Sequence, residues 1–156
     1  MTAVRDRLAA LRLPVFAAPM FLVSSPDLVI AACRAGVVGS FPAPNLRTSP
    51  ELGQWMARIR QGLAQPALGD WPVAPWAVNL VTHSTSPRLG PDLEQVAAHQ
   101  PPIVITALGS PKPVMPTVQG YGGLVFADVI SETLAKKAAD AGVDGLVLVC
   151  SGAGGH

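Results

Sequence analysis

Short apolar runs alternate with amphipathic stretches along almost the whole chain, and this alternation constrains the fold more than any other feature. Each apolar run is short enough to be a strand buried on both faces of a parallel sheet, and the stretches between them have helical spacing. Repeats of this kind are typical of α/β folds, in which helices cover a mostly parallel sheet. The predicted strands are residues 15–18, 37–41, 76–81, 103–107, 124–129 and 146–149.

Residues at the predicted helix ends support these units. Ser25 and Pro26 supply an N-cap and a first-turn proline for the helix after the first strand, and Gly36 ends that helix. Ser131 and Gly142 play the corresponding roles before the sixth strand. Both helices run through Ala-Gly-Val directly into a strand, which indicates a weakly repeated unit.

The repeats predict a (β/α)8 TIM barrel, with residues 1–156 forming the N-terminal part of a single domain. A doubly wound sheet is the structural alternative, but no Gly-x-Gly-x-x-Gly turn follows the first strand, which disfavours its dinucleotide-binding form. A complete barrel typically needs about 250 residues and eight strands. We therefore expect the chain to be truncated after about the first six βα units.

Composition argues against several classes of protein. A formal net charge of +1, without a basic stripe, gives no electrostatic case for nucleic-acid binding. Pro14 and Pro19 interrupt the first apolar stretch, so we predict neither a signal peptide nor a membrane span. Cys33 and Cys150 have no metal-ligand spacing and are expected to pack. A cytoplasmic protein without a metal site is the resulting expectation.

Ligands of a (β/α)8 barrel bind where the strands end, so the residues that follow each predicted strand are the candidates for a site. Ala18, Pro19 and Met20 end the first strand, although these residues taken alone favour a proline-terminated strand with a methionine in the core. Asn79 lies within an apolar strand, and a buried amide needs hydrogen-bond partners that a ligand could supply. Asp128 lies near the end of the fifth strand.

A glycine-rich segment, residues 152–156, follows the sixth strand and ends in His156. Glycines allow the backbone to approach a flat ring or a phosphate closely, and a histidine beside them is suited to general-base catalysis. A flexible linker or a simple turn is the alternative interpretation. His83, after the third strand, is either a loop histidine or a substrate contact.

These segments in this order resemble the nitronate monooxygenase family, formerly called 2-nitropropane dioxygenases. The resemblance spans essentially the whole chain and depends on residues 14–20, 78–80, 144–147 and the Ala-Gly-Gly-His sequence of residues 153–156. It implies an FMN-dependent TIM barrel that oxidises alkyl nitronates or nitroalkanes with O2. The expected partners are a small-molecule substrate and O2. The question whether the chain forms a homo-oligomer is left open.

The resemblance also implies roles for individual residues. His156 would be the catalytic base or would orient the substrate, and Asn79 would bind the polar edge of the isoalloxazine ring. Asp128 stands where family members place a polar flavin contact, often lysine. The FMN phosphate is held in the family by loops after strands seven and eight. The residues implied to bind the cofactor are Ala18, Pro19, Met20, Asn79, Asp128, Gly154 and Gly155.

The chain departs from the family pattern immediately before Ala-Gly-Gly-His. Many relatives have Gln-Gly-x-Glu there, whereas this chain has Val-Cys-Ser-Gly at residues 149–152, so the substrate stays open. The same barrel also resembles FMN-dependent enoyl reductases of fatty-acid synthesis and NAD(P)H:quinone reductases. An alternative of another class is a non-catalytic half-barrel that binds partners through an open sheet edge.

Overall fold

Six parallel strands form one sheet in the computed structural model, which describes residues 4–153. The strand order is the chain order, β1 to β6, and every neighbouring pair is parallel. A doubly wound sheet reverses its strand order, whereas a βα barrel does not, so the predicted fold class is confirmed. The strands are β1 (Phe16–Ala17), β2 (Val38–Pro42), β3 (Trp76–Val81), β4 (Ile103–Ala107), β5 (Leu124–Val129) and β6 (Gly145–Leu148).

Helices occupy the connections between successive strands, and one further helix precedes β1. A short 3-10 helix, Ala43–Asn45, follows β2. None of the helices within residues 4–153 is both long enough and apolar enough to cross a membrane. The α-helices are α1 (Val4–Ala9), α2 (Pro26–Arg34), α3 (Ser49–Gly62), α4 (Leu89–His99), α5 (Met115–Gly120) and α6 (Glu132–Ala141).

The helix ends follow from local hydrogen bonding. The Ser25 side chain accepts from the Leu28 amide to begin α2, and the Ser131 side chain caps α6 in the same way. Thr48, which directly precedes α3, forms a reciprocal capping box with Glu51. These caps satisfy backbone N–H groups that the first helical turn leaves unpaired.

One face of the sheet packs against the helices and holds the larger core. Side chains alternate between faces along each strand, so every second residue points toward the helices. Each fully buried apolar side chain contributes roughly 1.5–3 kcal/mol of transfer free energy. Buried members of this core include Val29, Phe41, Leu52, Met56, Ile59, Val78, Leu80, Val96, Val104, Val118 and Val125.

The opposite face, called here the inner face, carries a second and smaller core. Its buried residues are Val38, Ala77, Ile103, Ile105 and Leu124. Helix α1 packs against them through Val4 and Leu8. The sequence did not predict α1, because its six residues are too few to show a clear helical period.

Helix α1 is also tied to the end of the sheet where the strands begin, called here the amino end. Arg5 forms an ion pair with Asp144, which directly precedes β6. The other carboxylate oxygen of Asp144 accepts a hydrogen bond from the Val125 amide at 3.0 Å. The chain's own residues therefore cover the inner face at its amino end.

Candidate functional site

The sequence-predicted site residues that the structure describes lie at or near the ends of strands, at the edge called here the carboxyl end of the sheet. Ala18, Pro19 and Met20 directly follow β1, while Asn79 lies in β3 and Asp128 in β5. Gly154, Gly155 and His156 lie outside the described residues. Parallel strands bring their carboxyl ends to one edge of the sheet. The five described residues, Ala18, Pro19, Met20, Asn79 and Asp128, therefore lie near that edge.

The register places Asn79 and Asp128 on the inner face. Asn79 pairs with Ile105, and Ile105 pairs with Phe126. Paired residues of neighbouring strands point to the same face, and Asp128 follows Phe126 by two positions. Both polar side chains therefore point to the side of the sheet that the larger helix-packed core does not cover.

Asn79 is buried but has unused hydrogen-bonding capacity. Its side chain is 8% exposed, and its Nδ2 donates to the Ile105 carbonyl at 3.3 Å. Within residues 4–153 this is the one hydrogen bond that the amide makes, although an amide can donate two and accept two. The Oδ1 atom can therefore accept from a planar ligand that presents N–H groups.

Asp128 is the half-buried carboxyl of this face. Burial raises the pKa of Asp128 above the ordinary aspartate value, because the charged form loses solvation. The carboxyl therefore holds its proton to a higher pH than an exposed aspartate does. The family that the sequence resembles often has a lysine at this position, whereas this chain has a carboxyl group.

The segment after β1, residues 18–24, forms a hydrogen-bonded loop called here the β1 loop. The Met20 amide donates to Ser24 Oγ at 3.0 Å, and that hydroxyl donates to the Ala18 carbonyl at 3.3 Å. Met20 is 40% exposed, which is against the alternative that it fills the core. With the Met20 amide already paired, Pro19 and Met20 offer apolar surface rather than a free backbone donor.

Asn45 is a polar residue beside the β1 loop that the sequence analysis did not identify. Its Oδ1 accepts from the Leu22 amide at 2.8 Å, and its Nδ2 donates to the Ser24 carbonyl at 3.0 Å. Asn45 ends the 3-10 helix after β2, so it lies about 20 residues from its partners in sequence. No local sequence pattern predicts a contact between residues so far apart in the sequence.

His83 follows β3 and is exposed. The Thr85 amide donates to its Nδ1 at 3.3 Å, and Thr85 Oγ1 lies 2.8 Å from the same nitrogen. A backbone amide can only donate, so Nδ1 must carry the lone pair and Nε2 the proton. His83 thus presents an N–H donor at the carboxyl end, which suits a loop residue and a substrate contact equally.

His99 lies in the last turn of α4, where a charged histidine would interact favourably with the helix dipole. However, burial and then the nearby Arg60 lower the pKa of His99 below the ordinary histidine value. The side chain is therefore mainly neutral near pH 7, and a neutral imidazole interacts only weakly with the helix dipole.

The two cysteines differ in environment. Cys33 is fully buried, accepts from the Gly39 amide at 3.3 Å, and has a pKa raised to about 11 by burial. This confirms its packing role. Cys150 is exposed after β6, so the expectation that it packs is wrong for the described part of the chain. Residues 4–153 hold no cluster of three or more histidine, cysteine or acidic side chains that could bind a metal ion.

Comparisons with known proteins support the fold. No protein-family model matches the sequence, and no curated protein is significantly similar to it. FabK from Thermotoga maritima superposes with a TM-score of 0.75 at 23% identity, over 93% of this chain and 42% of that one. A nitroalkane oxidase from Streptomyces ansochromogenes superposes with a TM-score of 0.79 at 22% identity, over 96% and 49% respectively. The chain therefore spans less than half the length of these two structures and shares their fold.

Proposed function

We propose that the carboxyl end of the sheet binds FMN, and that the protein is a flavin-dependent oxidoreductase that oxidises alkyl nitronates with O2. One observation carries the proposal: the β1 loop, Asn79 and Asp128 lie at one end of a barrel-type sheet, the end at which such folds bind ligands. The structural likeness to a nitroalkane oxidase supports this reaction class. Residues 1–156 would then be the N-terminal part of an FMN-binding barrel domain.

The residues at this end suit a flat, partly polar ring. Asn79 offers an amide oxygen to an N–H of the ring edge, and its burial places that contact away from water. Pro19 and the exposed Met20 offer apolar contact to a ring face. Asp128 lies half-buried on the same face and can form a hydrogen bond with a polar atom of the ring edge. When bound, FMN supplies the electron-transfer chemistry that no amino-acid side chain provides.

His156 is the residue we assign to proton transfer, on the resemblance alone. It would take the proton from the carbon beside the nitro group of a neutral nitroalkane, or donate a hydrogen bond to a nitro oxygen. Proton transfer by a positioned side chain typically contributes about 10²–10⁴-fold to a rate. A preformed nitronate has already lost that proton. His156→Asn should therefore slow turnover of the neutral nitroalkane more than turnover of the nitronate, whereas equal losses would remove the base assignment.

The visible absorption spectrum of the purified intact protein tests the cofactor. We expect the bands of an oxidised flavin, and we expect them to bleach when an alkyl nitronate is added without oxygen and to return when O2 is admitted. A protein that takes up no FMN would contradict the proposal and would favour the non-catalytic half-barrel instead. Flavin bands that a nitronate leaves unchanged would keep the cofactor and reject the substrate.

A second candidate is an FMN-dependent enoyl reductase or NAD(P)H:quinone reductase. The structural likeness to FabK favours it to the same degree as the other likeness favours nitronate oxidation, since the two identities are 23% and 22%. Such an enzyme takes hydride from a nicotinamide. Anaerobic bleaching of the flavin by NAD(P)H, with no response to a nitronate, would decide for this candidate.

A further inference from the structure

We propose that Asn45 and Ser24 are positioning residues that hold the β1 loop in the single conformation in which Met20 meets the flavin ring. The inference rests on the proposed FMN site and adds two residues that contact the loop rather than the ligand. It assigns a function to a hydrogen-bonded arrangement that links the end of β2 to the end of β1.

Asn45 connects three parts of the β1 loop with one side chain. Its Oδ1 accepts from the Leu22 amide at 2.8 Å, while its Nδ2 donates to the Ser24 carbonyl at 3.0 Å and to the Met20 carbonyl at 3.4 Å. Both ends of the amide are therefore engaged. Replacement by a side chain that keeps only the acceptor would preserve one contact and remove the other two.

The side chain of Ser24 forms hydrogen bonds with the backbone within the β1 loop. Its side chain is almost completely buried, at 1% exposure. Its Oγ accepts from the Met20 amide and donates to the Ala18 carbonyl, so the backbone on both sides of Pro19 is fixed through one hydroxyl. The Ser24 amide in turn donates to the Met20 carbonyl at 3.0 Å.

Hydrophobic packing does little to hold the loop, which is why these hydrogen bonds matter. Phe21, Leu22 and Val23 are 53%, 77% and 61% exposed. Leu22 also has a φ of 61°, in the left-handed region that side chains other than glycine disfavour. A loop with exposed apolar side chains and a strained leucine would relax without Asn45 and Ser24. Strained backbone of this kind persists only where surrounding contacts determine it.

The experiment measures the loop and the cofactor separately in the intact protein. Amide hydrogen exchange at Met20 and Leu22 is followed without FMN, and FMN affinity is measured by titration of flavin fluorescence. The variants are Asn45→Ala, Ser24→Ala and Asn45→Asp, which keeps an acceptor for the Leu22 amide. Gln119→Ala is the matched control, because Gln119 is also an amide that bridges two segments, at 3.1 and 3.3 Å, but at the amino end.

We expect Asn45→Ala to remove exchange protection at Leu22 and Ser24→Ala to remove it at Met20. Each of these two alanine variants should also weaken FMN binding about tenfold, which is the effect of losing roughly one or two net hydrogen bonds. Asn45→Asp should retain protection at Leu22, and its FMN affinity should lie between those of the wild type and of Asn45→Ala, because it keeps one of the three contacts. Gln119→Ala should lower the melting temperature about as much as Asn45→Ala does, and it should leave FMN affinity unchanged.

Two results would overturn the inference while leaving the proposed FMN site intact. One is unchanged protection at Met20 and Leu22 in the alanine variants. The other is lost protection with wild-type FMN affinity. A wild-type protein that binds no FMN would instead contradict the proposed function itself, and the positioning role with it.

Discussion

The two ends of the same sheet are built differently. At the amino end, α1 covers the inner face, and Asp144 accepts hydrogen bonds from the Val125 amide and from Gln119 while pairing with Arg5. At the carboxyl end, the side chain of Asn79 makes a single hydrogen bond within residues 4–153. The carboxylate of Asp144 is therefore satisfied internally, whereas the side chain of Asn79 keeps unused hydrogen-bonding capacity. The proposed binding site therefore lies at the end of the sheet opposite the one that α1 and Asp144 close.

Exposed apolar side chains follow the same division. The four most exposed large apolar residues of the described chain lie in β6 or in segments that follow β1, β4 and β5. Two of them, Leu22 and Leu108, also have positive φ. Exposed apolar surface in a folded chain often marks a binding region. The four residues are Leu22, Leu108, Ile130 and Leu148.

The largest expected effect is on stability, at the amino end. Ile103 is fully buried in the inner-face core on which α1 packs. Ile103→Ala should lower the free energy of unfolding by about 2–5 kcal/mol, because it removes buried methyl groups and leaves a cavity. Urea unfolding followed by circular dichroism measures this loss. A cost below about 1 kcal/mol would show that the amino end is not the stabilising end.

A smaller loss is expected from the polar group that closes the same end. Asp144→Ala leaves the Val125 amide without its side-chain acceptor, so the free energy of unfolding should fall by about 1–3 kcal/mol. Arg5→Ala is the matched change. The Arg5 side chain is 65% exposed, and an exposed ion pair contributes about 0–1 kcal/mol. Equal losses in the two variants would mean that the ion pair, rather than the backbone hydrogen bond, closes this end.

At the carboxyl end the effect should be on binding instead. Asn79→Leu removes the amide and keeps an apolar side chain of similar size, so FMN affinity should fall about tenfold or more, or about 1.4 kcal/mol. The free energy of unfolding should change by less than about 1 kcal/mol, because the one lost hydrogen bond is offset by apolar burial. FMN titration and urea unfolding of the same preparation measure both quantities. A variant with lost stability and normal affinity would reverse the assignment.

The smallest effect concerns the pH dependence of Asp128. Because burial raises its pKa in the folded chain, the folded state holds the proton more tightly than the unfolded state. The resulting stabilisation is complete below the ordinary aspartate pKa of about 3.9 and is lost as the pH rises through the raised value. Asp128→Asn cannot titrate. Its melting temperature relative to wild type should therefore rise between about pH 3 and pH 7, and a flat difference would contradict the buried carboxyl.

Much of the fold follows from the sequence because the strands are continuous apolar runs. The bounds of β3, β4 and β5 agree with the prediction, whereas β2 and β6 are displaced by one residue and β1 is shorter by two. Strand ends depend on which backbone groups find a neighbour, which a single sequence does not reveal. The predicted Gly142 stop is confirmed by its φ of 90°, a conformation that glycine adopts readily.

The candidate site was predictable only where its residues follow strands in sequence. Ala18, Met20 and Asn79 could be placed at the carboxyl end by the rule that barrels bind ligands there. Asn45 could not, because its contacts with Leu22 and Ser24 depend on how two loops meet in space. The exposure of Cys150 was also missed, since an apolar sequence neighbourhood does not determine which side chains the fold covers.

Amide hydrogen exchange of the intact protein with and without FMN tests the central claim most directly. We predict that FMN increases protection in the β1 loop, near Asn79 and near Asp128, and leaves α1 and the amide of Val125 unchanged. Protection gained at the amino end, or no change at either end, would contradict the claim that the carboxyl end of this sheet is the flavin site.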